Sequence, residues 1–167
     1  STKSNKLLDQ LVYKDIPYLR KCFQEAGQDL SYSEFKGFSN YLCLYKFELF
    51  LSVGAKFCQL SNGQVHQAPS FAAILAFVCH TAYDNIEHIK INRGAVPVAS
   101  ITVSSHKCLK CNCPYYGKNC FALGAYEHAR NVDIVLTNHS LLFSNAATEG
   151  KLLSKIEYWV VDEAHSA

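Results

Sequence analysis

The chain has 167 residues, 49% of them hydrophobic, and a formal net charge of +2. These values exclude a disordered chain and a polybasic or polyacidic tail, and they allow one domain with a real core. No apolar run approaches the roughly 20 residues that span a bilayer, and the polar amino terminus has no signal-peptide pattern. We therefore expect a cytoplasmic location and no membrane partner.

The first predicted elements are a helix and an extended segment. Residues 15–26 predict a helix that Asp15 caps, that has Pro17 in its first turn and that ends at Gly27. Residues 31–39 hold aromatic side chains and a glycine, which predicts an extended segment with a turn.

The middle of the chain predicts helices followed by irregular structure. Apolar residues at three- and four-residue spacing predict an amphipathic helix over residues 41–53, with its apolar face formed by Leu42, Tyr45, Leu49, Phe50 and Val53. Residues 59–69 predict a loop, and residues 70–90 predict one or two helices. Residues 91–119 predict irregular structure, where a metal can take the place of a hydrophobic core.

The carboxyl-terminal third has a different pattern. Residues 120–130 predict a helix, and residues 132–137 predict a buried strand. Asn138 is the predicted cap of a short helix that runs to Phe143, and Ile156–Val161 predicts a second apolar strand. A strand, a helix and a strand in this order predict a parallel α/β sheet.

An acidic motif follows the last predicted strand. Ligands of open parallel sheets gather at the carboxyl ends of strands, where Asp162 can hold Mg²⁺ through water and Glu163 can orient an attacking water. His165 is the candidate for relaying the nucleotide state. The chain starts at Ser1, contains no methionine and stops at Ala167, so we expect a segment of a longer protein.

Four of the eight cysteines lie close together in the sequence, at Cys108, Cys111, Cys113 and Cys120. This cluster in a chain without a secretory signal favours a metal over disulfides. These four thiols suit a tetrahedral zinc site, and an iron–sulfur cluster also takes four thiolates, so the spacing alone leaves both metals open. The other candidates are less favoured: His106 as a ligand, and a thiol–disulfide enzyme built on the C-x-x-C pair. Three separate cysteines are predicted core residues, namely Cys22, Cys58 and Cys79.

Two sets of motifs resemble known helicases. The string Asp-Glu-Ala-His at residues 162–165 resembles the Walker B motif of DEAH-box helicases. The pattern CPYY…CF followed by VDIVLTNHSLLF, within residues 108–167, resembles the DinG-type, XPD-like helicases, as do residues 7–17 and 36–43. The chain contains no G-x-x-x-x-G-K-[ST] phosphate loop, so we expect it to bind ATP poorly and to be inactive alone.

The resemblance to DinG-type helicases implies an architecture and a cofactor. It implies an α/β fragment in which a mainly helical iron–sulfur insertion is attached to a few parallel strands of a RecA-like motor domain. The implied ligands of a 4Fe–4S cluster are Cys43, Cys108, Cys113 and Cys120. The implied divisions are a motor segment at 1–30, the insertion at 31–120 and motor strands at 121–167.

The resemblance also implies a function: a monomeric bacterial ATP-dependent DNA helicase, linked to DNA repair, that uses Mg²⁺ and ATP and moves 5′ to 3′ on single-stranded or forked DNA. Lysines near the ligands would contact phosphates and tyrosines would stack on bases. The candidates are Lys36, Tyr41, Lys110, Tyr115 and Lys118, with Lys107 and Tyr116 beside them. The competing interpretation is a zinc-stapled nucleic-acid-binding module in which the two acids are incidental.

Overall fold

The computed structural model describes residues 1–57, 67–81, 83–147, 153 and 156–166. The chain forms two compact units. Unit 1 comprises Ser1–Lys36 and Tyr126–Ala167, and unit 2 comprises Gly37–Ala125. Of the helices that the structure describes, none combines the length and the apolar character that crossing a bilayer requires.

Unit 1 begins with a continuous helical stretch. Helix α1 (Asn5–Gln10) passes into one π-helical turn (Leu11–Asp15) and then into α2 (Ile16–Glu25). The π turn ends two residues before Pro17, whose ring would crowd the carbonyl four residues earlier in a regular α-helix. The predicted cap at Asp15 is therefore wrong, because Asp15 lies within the helical stretch and makes no capping hydrogen bond.

The end of α2 confirms the sequence prediction. Gly27 adopts a φ of +76°, in the left-handed region that glycine enters without a steric cost. Its N–H donates to the carbonyl of Gln24 over 3.0 Å, and the N–H of Gln28 donates to the carbonyl of Phe23 over 2.9 Å. These two bonds form a Schellman motif, which satisfies carbonyls that the helix leaves open.

The sheet of unit 1 is parallel. Strand β1 (Tyr32–Glu34) pairs with β2 (Ile134–Leu136), with Ser33 opposite Val135. Helix α7 (His139–Ala147) follows β2, and the Asn138 side chain accepts the N–H of Leu141 over 2.9 Å. The Asn138 cap is thus confirmed, although the helix extends beyond Phe143.

The predicted strand Ile156–Val161 is not a strand in the structure. Tyr158 and Val160 are 87% and 81% exposed, whereas a buried parallel strand needs neighbours on its edges and layers on its faces. Among the described residues its backbone partner is Ser1, which accepts the N–H of Asp162 over 3.0 Å and donates to the carbonyl of Val160. Thr2 in turn pairs with Asn138 in parallel register, so Ser1–Thr2 connects this segment to the end of β2.

Unit 2 is mainly helical. It contains α3 (Leu44–Phe57), α4 (Ala68–His80), the short α5 (Val98–Ile101) and the first part of α6 (Phe121–Ala129). In the described part of unit 2, 3₁₀ turns lie at Phe38–Asn40, Ile86–His88 and Lys110–Asn112. The predicted irregular segment 91–119 is confirmed apart from α5 and the last of these turns, and the predicted loop at 59–69 lies largely outside the described residues.

Aromatic side chains hold the helices of unit 2 together. The rings of Phe47 and Phe50 lie 6.3 Å and 6.0 Å from the ring of Phe71, and the Phe77 ring stacks on Phe121 at 5.4 Å. The apolar face predicted for α3 is only partly correct. Leu42, just before the helix, is buried, but three members of the predicted face are exposed, namely Tyr45, Leu49 and Val53.

Candidate metal centre

Cys43 lies at the amino end of α3, where the chain enters the helix. Its carbonyl accepts the N–H of Phe47 over 2.9 Å, which makes Cys43 the N-cap residue. The backbone N–H of Lys46 donates to the Cys43 sulfur. The thiol therefore accepts a backbone N–H of the first helical turn, as a serine or aspartate oxygen usually does at a helix N-terminus.

Cys120 has the same position at the start of α6. Its carbonyl accepts the N–H of Gly124 over 2.8 Å, and its sulfur accepts the backbone N–H groups of Leu123 and Ala122. The positive end of a helix dipole favours negative charge, so both helices favour a thiolate at these two positions.

Cys108 and Cys113 lie on either side of a tight turn. Lys110 has a φ of +49°, and its N–H donates to the Cys108 sulfur over 3.4 Å. The N–H of Cys113 donates to the carbonyl of Lys110 over 2.8 Å and ends the turn. This left-handed turn brings the two cysteines to one side of the loop.

The four cysteines implied by the resemblance line one cavity within unit 2. The cavity encloses about 420 Å³, counting its opening to solvent, and its lining includes Cys43, Cys108, Cys113 and Cys120. A second cavity of about 900 Å³, counted in the same way, shares Cys43, Cys108 and Cys113 and is also lined by Lys46 and Lys107. The fold thus brings cysteines from two distant parts of the sequence to one place.

The other cysteines among the described residues do not line these cavities. Cys111 is exposed and does not line either cavity. Cys22 and Cys79 are also exposed, so the prediction that they are core residues is wrong. Cys58 lies outside the described residues. His106, the alternative ligand, is exposed and also absent from the cavity lining.

Partial burial and mutual repulsion affect the protonation of the Cys43 and Cys120 thiols. Burial raises the pKa of Cys43, and the neighbouring Cys113, Cys120 and Cys108 raise it further, while the N–H of Lys46 opposes the change. Burial likewise raises the pKa of Cys120, against the donation from its two N–H groups. The thiols influence one another because they lie close together.

The donor set fits an iron–sulfur cluster. Four thiols line the cavity, and backbone N–H groups donate to three of the sulfurs, as is common around such clusters. Among the described residues, no three Cys, His, Asp or Glu side chains are grouped closely enough to hold a single metal ion. In a polynuclear cluster each thiolate binds a different iron atom, so the four sulfurs need not all lie within bonding distance of one metal ion.

Two of the predicted DNA-contact residues, Lys36 and Tyr41, are buried in the structure. Lys36 is 1% exposed, and its ammonium lies 2.9 Å from the Glu34 carboxylate and 3.7 Å from that of Asp9. Tyr41 is 2% exposed within the core of unit 2. Neither side chain is exposed to solvent in this structure, unlike the surface side chains that the prediction assumed.

The remaining basic and aromatic candidates lie at the surface of unit 2. Lys110 and Lys118 are exposed, and so are the neighbouring Lys107 and Tyr116. Tyr115 is partly buried, and its hydroxyl donates to a Glu48 oxygen over 3.0 Å. This bond raises the pKa of Tyr115 and fixes its ring beside the loop of Cys113.

The acidic motif is exposed at the end of its segment in unit 1. Asp162, Glu163 and His165 are all exposed. Glu163 has a φ of +48°, and its N–H donates to the Asp162 carboxylate over 2.9 Å. The chain therefore turns sharply at Glu163, directly after Asp162.

One residue near the cysteines was not predicted from the sequence. Lys46 lies three residues after Cys43 on α3, and its ammonium donates to the carbonyl oxygens of Ala99 and Thr102. The spacing of one helical turn from a candidate ligand is the signal that identifies it.

Similar proteins cover nearly the whole chain. It is 30% identical to the ATP-dependent DNA helicase YoaA of Haemophilus influenzae over 99% of its length, and 29% identical to the ATP-dependent helicase DinG of Mycobacterium tuberculosis over 99%. It is 26% identical over 99% to a Bacillus subtilis protein named 3′-5′ exonuclease DinG.

No family model matches the chain. The chain spans 25%, 26% and 16% of the lengths of these relatives. The chain therefore corresponds, over nearly its whole length, to a segment of the DinG-type helicases, which confirms the resemblance of its motifs.

Proposed function

We propose that the chain is the iron–sulfur region, with adjoining motor strands, of an ATP-dependent DNA helicase. The observation that carries the proposal is the convergence of Cys43 with Cys108, Cys113 and Cys120 on one cavity. Two of the relatives are named ATP-dependent helicases, which supports the same function.

In this proposal the four converging thiols hold a 4Fe–4S cluster within an insertion at residues 31–120. When bound, the cluster supplies a rigid, redox-active centre. The chain itself joins the amino ends of α3 and α6 to the loop between Cys108 and Cys120. This arrangement holds the exposed basic loop in one orientation relative to α3.

The motor part comprises residues 1–30 and 121–167 in this proposal. The backbone order β1, β2, Ser1–Thr2 and Val160–Asp162 supports an α/β layer of RecA-like type. At its end, Asp162 would hold Mg²⁺ when it is bound, and Glu163 would orient the water that attacks ATP. His165 passes the state of the nucleotide onward, and the phosphate loop comes from another part of the longer protein.

DNA, single-stranded or forked, is the proposed partner, and a monomer is the proposed acting form. The exposed Lys107, Lys110 and Lys118 present positive charge for phosphates, while Tyr116 presents a ring on which an unpaired base can stack. ATP hydrolysis would drive 5′ to 3′ movement, and unit 2 would help to separate the strands.

The cluster is tested by metal analysis after anaerobic purification. We expect iron and acid-labile sulfide in equal amounts, and we expect Cys→Ser substitution at 43, 108, 113 or 120 to lower both at least fivefold. Cys111→Ser is the matched control, because Cys111 lies in the same loop but outside the cavity lining. Zinc without sulfide, or loss of metal in the Cys111 variant with retention in the Cys43 variant, would support the zinc-stapled module instead.

The motor assignment has a separate test in a full-length helicase that contains this chain. Glu163→Gln should lower DNA-stimulated ATP hydrolysis by a factor of about 10²–10⁴ while ATP binding is retained, because the carboxylate acts on the attacking water. Hydrolysis at the unmodified rate would contradict the assignment of Glu163.

A further inference from the structure

The Lys46 side chain connects α3 to the end of α5. Its ammonium donates to the carbonyl of Ala99 over 2.7 Å and to that of Thr102 over 2.8 Å. Beside it, the N–H of Cys43 donates to the carbonyl of Ile101 over 2.8 Å. Lys46 therefore fixes the end of α5 and the residue after it, the same segment that binds the backbone N–H of Cys43.

The same lysine lies beside the thiols. It lines the cavity that Cys43, Cys108 and Cys113 share, and its backbone N–H donates to the Cys43 sulfur. Among the described residues, no carboxylate lies within ion-pair distance of its ammonium. Its positive charge is therefore not neutralised by an anion of the described chain.

The charge of Lys46 adds to that of two helix ends. The amino termini of α3 and α6 both carry a candidate ligand as N-cap residue, so both place partial positive charge near the sulfurs. A cluster with four thiolates gains one negative charge when it takes up one electron, and no bond forms or breaks. Positive charge nearby stabilises the reduced form more than the oxidised form.

We propose that Lys46 is a positioning residue of the cysteine site, which anchors the backbone of Cys43 to the end of α5 and raises the reduction potential of the cluster held there. The second part rests on the proposed function, whereas the anchoring part does not. Lys46 is a positioning residue because it acts on the cluster through charge and through Cys43, and it is not itself a ligand.

The test compares Lys46→Met, Lys46→Arg and the surface control Lys90→Met in the 167-residue chain. Redox titration with dithionite, followed by electron paramagnetic resonance, measures the reduced fraction at a fixed potential. We expect Lys46→Met to lower the ratio of reduced to oxidised cluster by about three- to tenfold, where tenfold corresponds to about 59 mV for one electron. Lys46→Arg and Lys90→Met should stay within twofold of the unmodified chain.

Amide hydrogen exchange of Cys43 tests the anchoring in the metal-free chain. We expect exchange at least tenfold faster in Lys46→Met and partial recovery in Lys46→Arg. Unchanged exchange overturns the anchoring role, and an unchanged potential with faster exchange overturns the effect on the cluster. If the unmodified chain binds no iron and sulfide, the proposed cofactor and the potential both fail, while the exchange result still decides the anchoring.

Discussion

The ion pair of Lys36 and Glu34 offers the sharpest test of the packing in unit 1. Lys36 is 1% exposed and Glu34 12% exposed, with 2.9 Å between the ammonium and the carboxylate. Glu34→Gln leaves a buried ammonium with Asp9 as its nearest described carboxylate, at 3.7 Å and 47% exposed. We expect this substitution to destabilise unit 1, because a solvent-exposed partner compensates a buried charge poorly.

The magnitude follows from the distance and the burial. Coulomb's law with an effective dielectric constant of about 20 gives an attraction of about 6 kcal/mol at 2.9 Å, part of which desolvation cancels. Breaking a buried pair costs about 3–5 kcal/mol of the free energy of unfolding. Because Asp9 still interacts with the ammonium, we expect a loss at the lower end of this range, about 3 kcal/mol. A loss of this size lowers the melting temperature of a chain of this length by roughly 6–12 °C.

The assay is a double-substitution cycle read by urea unfolding and by amide exchange of Phe35, whose N–H donates to the carbonyl of Leu136 over 2.8 Å. The pair Glu34→Gln with Lys36→Met removes both charges and should recover most of the loss of either single change. The exposed pair Arg20–Asp29 is the control, since Arg20→Met should leave the midpoint unchanged. Additive losses in the double variant would refute a coupled buried pair.

Two further predictions concern unit 1. Asp133 accepts the hydroxyl and N–H of Ser31, which lowers the pKa of Asp133 below 3.8, so its contribution to stability is present above pH 3.8 and is lost as the pH falls through the lowered pKa. Carbon-detected NMR should show the Asp133 titration moving toward 3.8 in Ser31→Ala, and an unmoved titration would contradict this cause. Asn145 is buried and accepts the N–H of Leu153 over 2.7 Å, so Asn145→Ala should cost about 1–3 kcal/mol in urea unfolding. A loss under 0.5 kcal/mol would show that this bond contributes little.

Local features of the chain could be predicted from the sequence because they depend on neighbouring residues. The Asn138 cap and the Gly27 terminus each follow from the chemistry of one side chain and the turn beside it. The irregular segment with its cysteines could also be recognised, because it has neither helical nor strand periodicity. Cys43 was accessible only through the resemblance, since 64 residues separate it from Cys108.

Features that depend on distant contacts could not be predicted. Lys36 has the sequence pattern of a surface cation, and its burial is stabilised by distant or neighbouring carboxylates, those of Glu34 on β1 and Asp9 on α1 among the described residues. Leu49 and Val53 follow the apolar periodicity of α3, yet the helix packs through Phe47 and is exposed along their side. Periodicity predicts that a helix has an apolar face, but it does not determine which neighbours cover that face.

An antiparallel bridge joins Leu42 to Thr102, so polypeptide contacts bring the two ends of the intervening segment together without a metal. The folded polypeptide therefore already offsets the loop-closure entropy of this segment in the absence of a cofactor. A metal at the cysteines would then order mainly the segment from Val103 to Cys120, and the rest of unit 2 would not depend on it. Removal of the metal by a chelator should accordingly increase amide exchange in that segment first, while α3 and α4 stay folded.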